Sequence, residues 1–197
     1  MKIIILILFI LIDGEAIFSQ QTSINQFNIE RQKISKTGLK VLAAYNVANI
    51  VYGSIASSRA GSGSDKYFHE MNAIWNGINL GIVGIGLLFT RKEGVDSYAI
   101  PSTKQSNTEK LFLFNAGLDL AYIAGGAYLK ERSKSPSNNP GRQMGYGESI
   151  ILQGGVLFLF DGIMYTIHHI HGKGLSKMAE KMHFSITAYG PGVVVKL

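Results

Sequence analysis

The sequence predicts an all-α protein: a four-transmembrane-helix bundle with a cleaved signal peptide ahead of it and a short C-terminal β-hairpin behind. Two observations carry that expectation. Of 197 residues, 46% are hydrophobic and only 16% charged, against about 25% charged in an ordinary soluble domain. The charges are also segregated. Within Val41–Ser58, Asn72–Thr90, Leu111–Leu129 and Ser149–Ile167 the only charged residues are Asp119 and Asp161. Each stretch approaches the ~20 residues that cross a ~30 Å hydrocarbon core. A soluble four-helix bundle needs a charged outer face opposite its apolar stripe, and these segments carry Leu, Ile, Val, Phe, Ala and Gly there instead.

The elements follow in order. Met1-Lys2 and the apolar run Ile3–Ile12, followed by small residues, form a secretory leader too short for a comfortable span, and residues 1–19 are expected to be removed. The formal charge of +6 then rises to +7, because one lysine and two acids leave. Residues 20–37 are polar and open an amphipathic run before the first span. Residues 57–64 read as a flexible Ser/Gly loop, and Arg91–Lys110, with Pro101, as a second loop. The third, Arg132–Gly147, contains Pro136 and Pro140 and reads as a turn-rich excursion. After the fourth span, 20–174 being the membrane domain, Leu175–Met182 is expected to be a surface helix. The tail 184–197 reads as two short strands about a turn at Gly190-Pro191-Gly192.

A weak internal repeat links the first span to the third (Asn46…Tyr52 with Asn115…Tyr122) and the second to the fourth (Trp75-Asn76-Gly77 with Leu152-Gln153-Gly154), as two parallel helical hairpins would. The leader directs both termini to the outside of a bacterial cytoplasmic membrane. Loop charges do not support that orientation, since the outer segments hold more basic residues than the inner ones. Those lysines and arginines fit lipid head groups, and no aromatic-basic interleaving points to nucleic acid. Cysteine is absent, which excludes disulfides, thiol nucleophiles and thiolate-bound metals.

Polar residues inside apolar spans must find partners. In the first span Asn46, Asn49, Tyr52 and Gly53 are read as one face; in the second, Asn72, Asn76 and Asn79; in the third, Asn115, Asp119, Tyr122 and Gly126; in the fourth, Gln153, Asp161, Tyr165 and His168. Helical neighbours three and four apart lie together, so four stripes can converge on one axis. The candidate binding residues are therefore Asn46, Asn49, Asn76, Asn79, Asn115, Asp119, Tyr122, Gln153, Asp161 and Tyr165, with Tyr52 a further donor. Amide stripes also serve as packing glue between helices, at ~0.6 to 2 kcal/mol a bond. The aspartates are costlier, at least ~2.5 kcal/mol each if ionised at mid-membrane. Their positions in antiparallel neighbours set them at similar depth, where at least one is expected to hold a proton.

His168, His169 and His171 end the fourth span, but adjacent His168 and His169 cannot share a face, and no metal is expected. Nucleophile elbow, phosphate loop, zinc-protease helix and dinucleotide fingerprint are all missing, so no cofactor and no catalytic residue is expected. Gly77-x3-Gly81 and Gly117-x3-Ala121-x3-Gly125 are small-residue seams that suit packing within the chain or against a second copy of it.

Residues 68–79 (Phe-His-Glu-Met-Asn-Ala-Ile-Trp-Asn-Gly-Ile-Asn), 115–123, and Gly145-Tyr146-Gly147 through Gln153-Gly154-Gly155 to Asp161 resemble a family of uncharacterised small bacterial membrane proteins over roughly 30–170. The resemblance implies the four-helix topology and supplies no activity. Three readings remain: a non-enzymatic membrane protein whose polar axis is structural or binds a small ligand; a membrane-embedded enzyme or proton-coupled carrier using Asp119 and Asp161; and an envelope scaffold. The expected partners are the lipid bilayer, a small ligand and further copies of the chain.

Overall fold

The computed structural model describes the backbone of residues 2–92, 101–136, 139–180, 182–187 and 190–195, and side chains within 24–89, 102–136, 139–175 and at 177. Four helices dominate: α1 (Lys2–Arg59), α2 (Ser64–Lys92), α3 (Pro101–Arg132) and α4 (Pro140–Glu180). Stretches within all four are long and apolar enough to cross a membrane. Each expected span lies inside one of them, and every helix overruns its span. At ~1.5 Å per residue, α4 is roughly 60 Å long, about twice a hydrocarbon core.

The overruns correct several expected boundaries. Residues 20–37 continue α1 without a break, and 175–180 continue α4 rather than forming a separate helix. Of the expected second loop, 93–100 lies outside the described residues and 101–110 is already α3. Proline marked these stretches as loop, yet Pro101 and Pro140 each open a helix. The first turn has no need of that N–H, and the ring presets φ. Asn139 caps α4, its Oδ1 accepting from Arg142 N at 3.1 Å, the bond an N-cap makes to the third helical residue.

Two further strands, β1 (Met182–Thr187) and β2 (Gly190–Val195), pair antiparallel with Thr187 opposite Gly190. The connection therefore falls at 188–189, outside the described residues. Gly190-Pro191-Gly192, the expected turn, opens β2 instead.

Helix α1 packs along α2 and α3 along α4, and the two hairpins meet chiefly through α2 and α4; α2 and α3 do not pack along one another. The distribution of side chains is inside-out. Asn46, Asn76, Gln153, Ser149 and His168 have no exposed surface, while Ile82, Phe89, Phe114 and Leu159 are more than 60% exposed.

The bundle is tight at one end. A Cβ on Gly126 would stand 2.7 Å from Gly147 O, and one on Gly147 2.6 Å from Gly126 O. Gly145 abuts the Ser64 and Phe68 backbone. The seams expected from spacing meet no other helix among the described residues: Gly77, Gly81, Gly117 and Gly125 have nothing within 4 Å of a Cβ position. Spacing defines a face but not what that face meets.

Candidate functional site

The polar stripes divide into two regions rather than forming one axis. Toward the tight end lies an amide cluster shared by α1, α2 and α4. Asn72 is its hub. Its Nδ2 donates to Asn49 Oδ1 at 3.2 Å, while its Oδ1 accepts from Asn76 Nδ2 at 3.2 Å and from Gln153 Nε2. Tyr45 closes the cluster by donating to Gln153 Oε1 at 3.1 Å. Asn49 and Asn76 also donate to the backbone one turn earlier, at Tyr45 O (2.9 Å) and Asn72 O (2.7 Å). Asn46 is wholly buried beside them, and among the described residues neither of its amide atoms has a partner.

Toward the other end the helices part around a cavity of about 620 Å³, lined from all four. Asp119 and Asp161 face it at 3% and 6% exposure. Their side chains lie within hydrogen-bonding reach of each other, with Asn115 beside Asp161. Asp119 Oδ2 has no hydrogen-bond partner among the described residues. Asn79 and Asn115 share this cavity, as does Tyr122, whose ring meets the Trp75 ring edge-on at 4.8 Å.

The remaining expected site residues fall elsewhere. Asn76 belongs to the amide cluster. Tyr165 is not part of the cavity wall; its ring stacks on His169 with centroids 5.7 Å apart. Tyr52 is 62% exposed, edge-on to His69 at 5.5 Å, and is not an interior donor. Six residues advance a helix by 600°, which leaves Tyr52 about 120° from Asn46, whereas Gly53 at seven residues returns to within about 20°.

Sequence reasoning missed the far wall. Arg31 lines the cavity, 5% exposed, and donates to Thr108 Oγ1 at 3.2 Å. One turn on, Ser35 Oγ lies 3.1 Å from His168 Nε2. His168 stacks on Phe112 with ring centroids 5.4 Å apart, and its carbonyl accepts from Gln105 Nε2. The three histidines diverge: His169 meets Glu109 at 3.3 Å, and His171 contacts Phe27 O at 3.2 Å. Arg31, Ser35, Gln105 and Thr108 all stand on helical overruns, before the apolar windows that defined the spans. Their i, i+4 and i, i+3 spacing was the available signal.

Chemically, one region bonds most of its amides to one another, with Asn46 and Asn76 Oδ1 left over among the described residues, and the other offers two buried carboxyl groups, amides and aromatic rings to a volume large enough for a small organic molecule. This is a four-helix bundle with an apolar exterior and a polar, cavity-bearing interior. The chain belongs to a family of unknown function (DUF6992), matched over residues 41–162. That stretch takes in the amide cluster and both aspartates, while Arg31, Ser35 and His168 lie outside it. No curated protein and no solved structure matches the chain.

Proposed function

We propose that this is an integral membrane protein whose central cavity binds a small ligand through Asp119 and Asp161. The single observation carrying the reading is that both carboxylates, from adjacent helices, line one cavity walled by all four helices. Polar stripes serving only as packing glue need no such space, because their bonds run between the helices themselves, as those of Asn49, Asn72, Gln153 and Tyr45 do. The membrane setting is supported by the inside-out surface: in water, exposure of Ile78, Ile82, Leu88, Phe89, Leu113, Phe114 and Leu159 together is a large aggregation liability, and in lipid it is solvation. We place the chain in a bacterial cytoplasmic membrane, exported by a cleaved leader, with both termini outside and oligomers of the chain allowed.

A second reading, a carrier that exchanges a proton for its ligand, is favoured by the same pairing of carboxyl groups, which lie close enough to share one. An enzymatic reading is carried less far: the serine–histidine contact on the same cavity wall, Ser35 Oγ to His168 Nε2 at 3.1 Å, stands seven residues, about 10 Å, along α4 from Asp161.

Carbonate washing followed by native mass spectrometry of detergent-purified protein tests the reading. The mature chain should stay in the membrane pellet, and a small molecule should co-purify with the native chain and be lost from Asp119→Asn. Release by carbonate without detergent refutes the membrane setting. A ligand retained equally by Asp119→Asn and Asp161→Asn refutes the site.

A further inference from the structure

Resting on that ligand-binding reading, we propose that the ligand is an organic cation on an apolar body, an amine or onium, which enters sideways from the bilayer between α2 and α3. Charge complementarity selects the head. Asp119 and Asp161 are the acidic groups of the cavity wall, both almost wholly buried, and one oxygen of Asp119 is left without a protein donor among the described residues. A buried carboxylate in that position is completed by a donor that brings positive charge.

The aromatic rings select the body. Phe89, Phe112, Phe160 and Tyr122 line the same cavity. Ring faces carry negative potential and attract organic cations, which is how aromatic cages hold onium groups. A bare metal ion fits poorly, because hard cations demand a close shell of six or more oxygens, and this 620 Å³ space has mostly hydrocarbon on its walls.

Arg31 orients the ligand. It is bonded to Thr108, eleven residues before Asp119 on α3, roughly 16 Å along the axis. Its positive charge repels a cationic head from that end and leaves the carboxylate end as the seat.

The gap between helices gives the route. α2 and α3 touch through the Trp75 and Tyr122 rings and make no extended contact along one another, and Ile82, Phe89 and Leu118 on either side of the opening are both exposed and cavity-lining. An apolar body crosses such a rim directly from lipid, and its charged head meets the aspartates behind it.

The test uses the full chain in phosphatidylcholine vesicles, with protein-free vesicles as the blank. Three probes of similar shape differ in charge: tetraphenylphosphonium, tetraphenylborate and neutral triphenylphosphine oxide. Binding is read by equilibrium dialysis and by the fluorescence of Trp75, the single tryptophan, whose ring touches the cavity residue Tyr122. Saturable binding of the phosphonium is expected, none of the borate, and a loss of at least about tenfold in the double variant Asp119→Asn with Asp161→Asn, because a pair that shares one proton keeps its single charge when either member alone is replaced. Preference for the borate or the neutral probe overturns the cation assignment while leaving a ligand site intact. Saturable phosphonium binding that the double substitution does not weaken also overturns it. Failure of all three probes overturns the assignment, and the ligand reading beneath it is then decided by the co-purification test. The charge comparison is made on the unaltered chain, so it stands even if a variant does not fold.

Discussion

The two ends of the bundle solve the same problem, polar groups inside an apolar shell, in opposite ways. At the tight end, glycines bring backbones into contact and amides bond one another across three helices, Asn46 excepted. At the splayed end α2 leaves α3 while α1, α3 and α4 stay joined through Arg31–Thr108, Ser35–His168 and Gln105–His168, and two carboxylates, the arginine and the serine border open space. A site meant only to hold helices together has no use for volume, since every missing atom costs contact energy in lipid as in water. The contrast teaches that intramembrane polarity alone does not mark function; polarity facing a cavity does.

The largest expected effect breaks the tight end. In Gly145→Ala the new methyl meets the backbone of Ser64 and Phe68, which cannot swing aside as a side chain would. Overpacking against fixed backbone should destabilise by about 3 kcal/mol or more, seen as loss of monodisperse protein or a large fall in Tm in detergent. The same chemistry at the splayed end gives the control. At Gly86 a Cβ meets only the Leu39 side-chain tip at 3.3 Å, so Gly86→Ala should leave Tm within a few degrees of the unaltered chain. Equal damage from both would erase the distinction between the ends.

Much of this was legible from spacing. Amides at i, i+3 and i+4 placed Asn46, Asn49, Asn72 and Asn76 on inward faces, and counting residues into antiparallel spans put Asp119 and Asp161 at one depth. The family match, 41–162, falls within the stretch singled out for resemblance. The partition into two polar regions was not legible, because it depends on where α2 leaves α3, a fact of tertiary packing. Nor were Arg31 and Thr108, since a charge or a run of polar residues ends an apolar window although the helix itself continues. The packing glycines Gly126, Gly145 and Gly147 carry no x3 signature between them within one helix; they meet across helices, and single-helix spacing is blind to that.

An intermediate effect sharpens the contrast between amide and carboxylate. Asn72→Leu removes the hub and strands Asn49, Gln153 and the Asn72-facing amide of Asn76. Leaving buried partners unsatisfied should cost about 2 kcal/mol. Asp161→Asn keeps the shape and relieves the crowding of two buried carboxyl groups, so stability should be unchanged or higher by about 1 kcal/mol, while ligand retention falls. Reversible unfolding in mixed micelles, run on both variants, reads the difference. If Asp161→Asn is the more destabilising of the two, the carboxylates belong to the scaffold and not to the site.

The smallest effect lies on the face that spacing misjudged. Tyr52 stands six residues after Asn46 and points outward, 62% exposed, touching the His69 ring by its edge. The hydroxyl of an exposed tyrosine in a lipid-facing or interfacial position makes no interior bond, so Tyr52→Phe should change stability by less than about 0.5 kcal/mol and leave ligand retention as it was. Tyr45, seven residues earlier and bonded to Gln153, is the matched comparison: Tyr45→Phe removes a donor from the closed amide cluster and should cost about 1 kcal/mol. Paired unfolding curves of the two variants compare two depths on one face, since seven residues return a helix to within about 20°: Tyr45 reaches Gln153 and Tyr52 stands beside His69. A loss at Tyr52 equal to or greater than that at Tyr45 would mean that the Tyr52 hydroxyl holds an interior bond, and would return it to the candidate site.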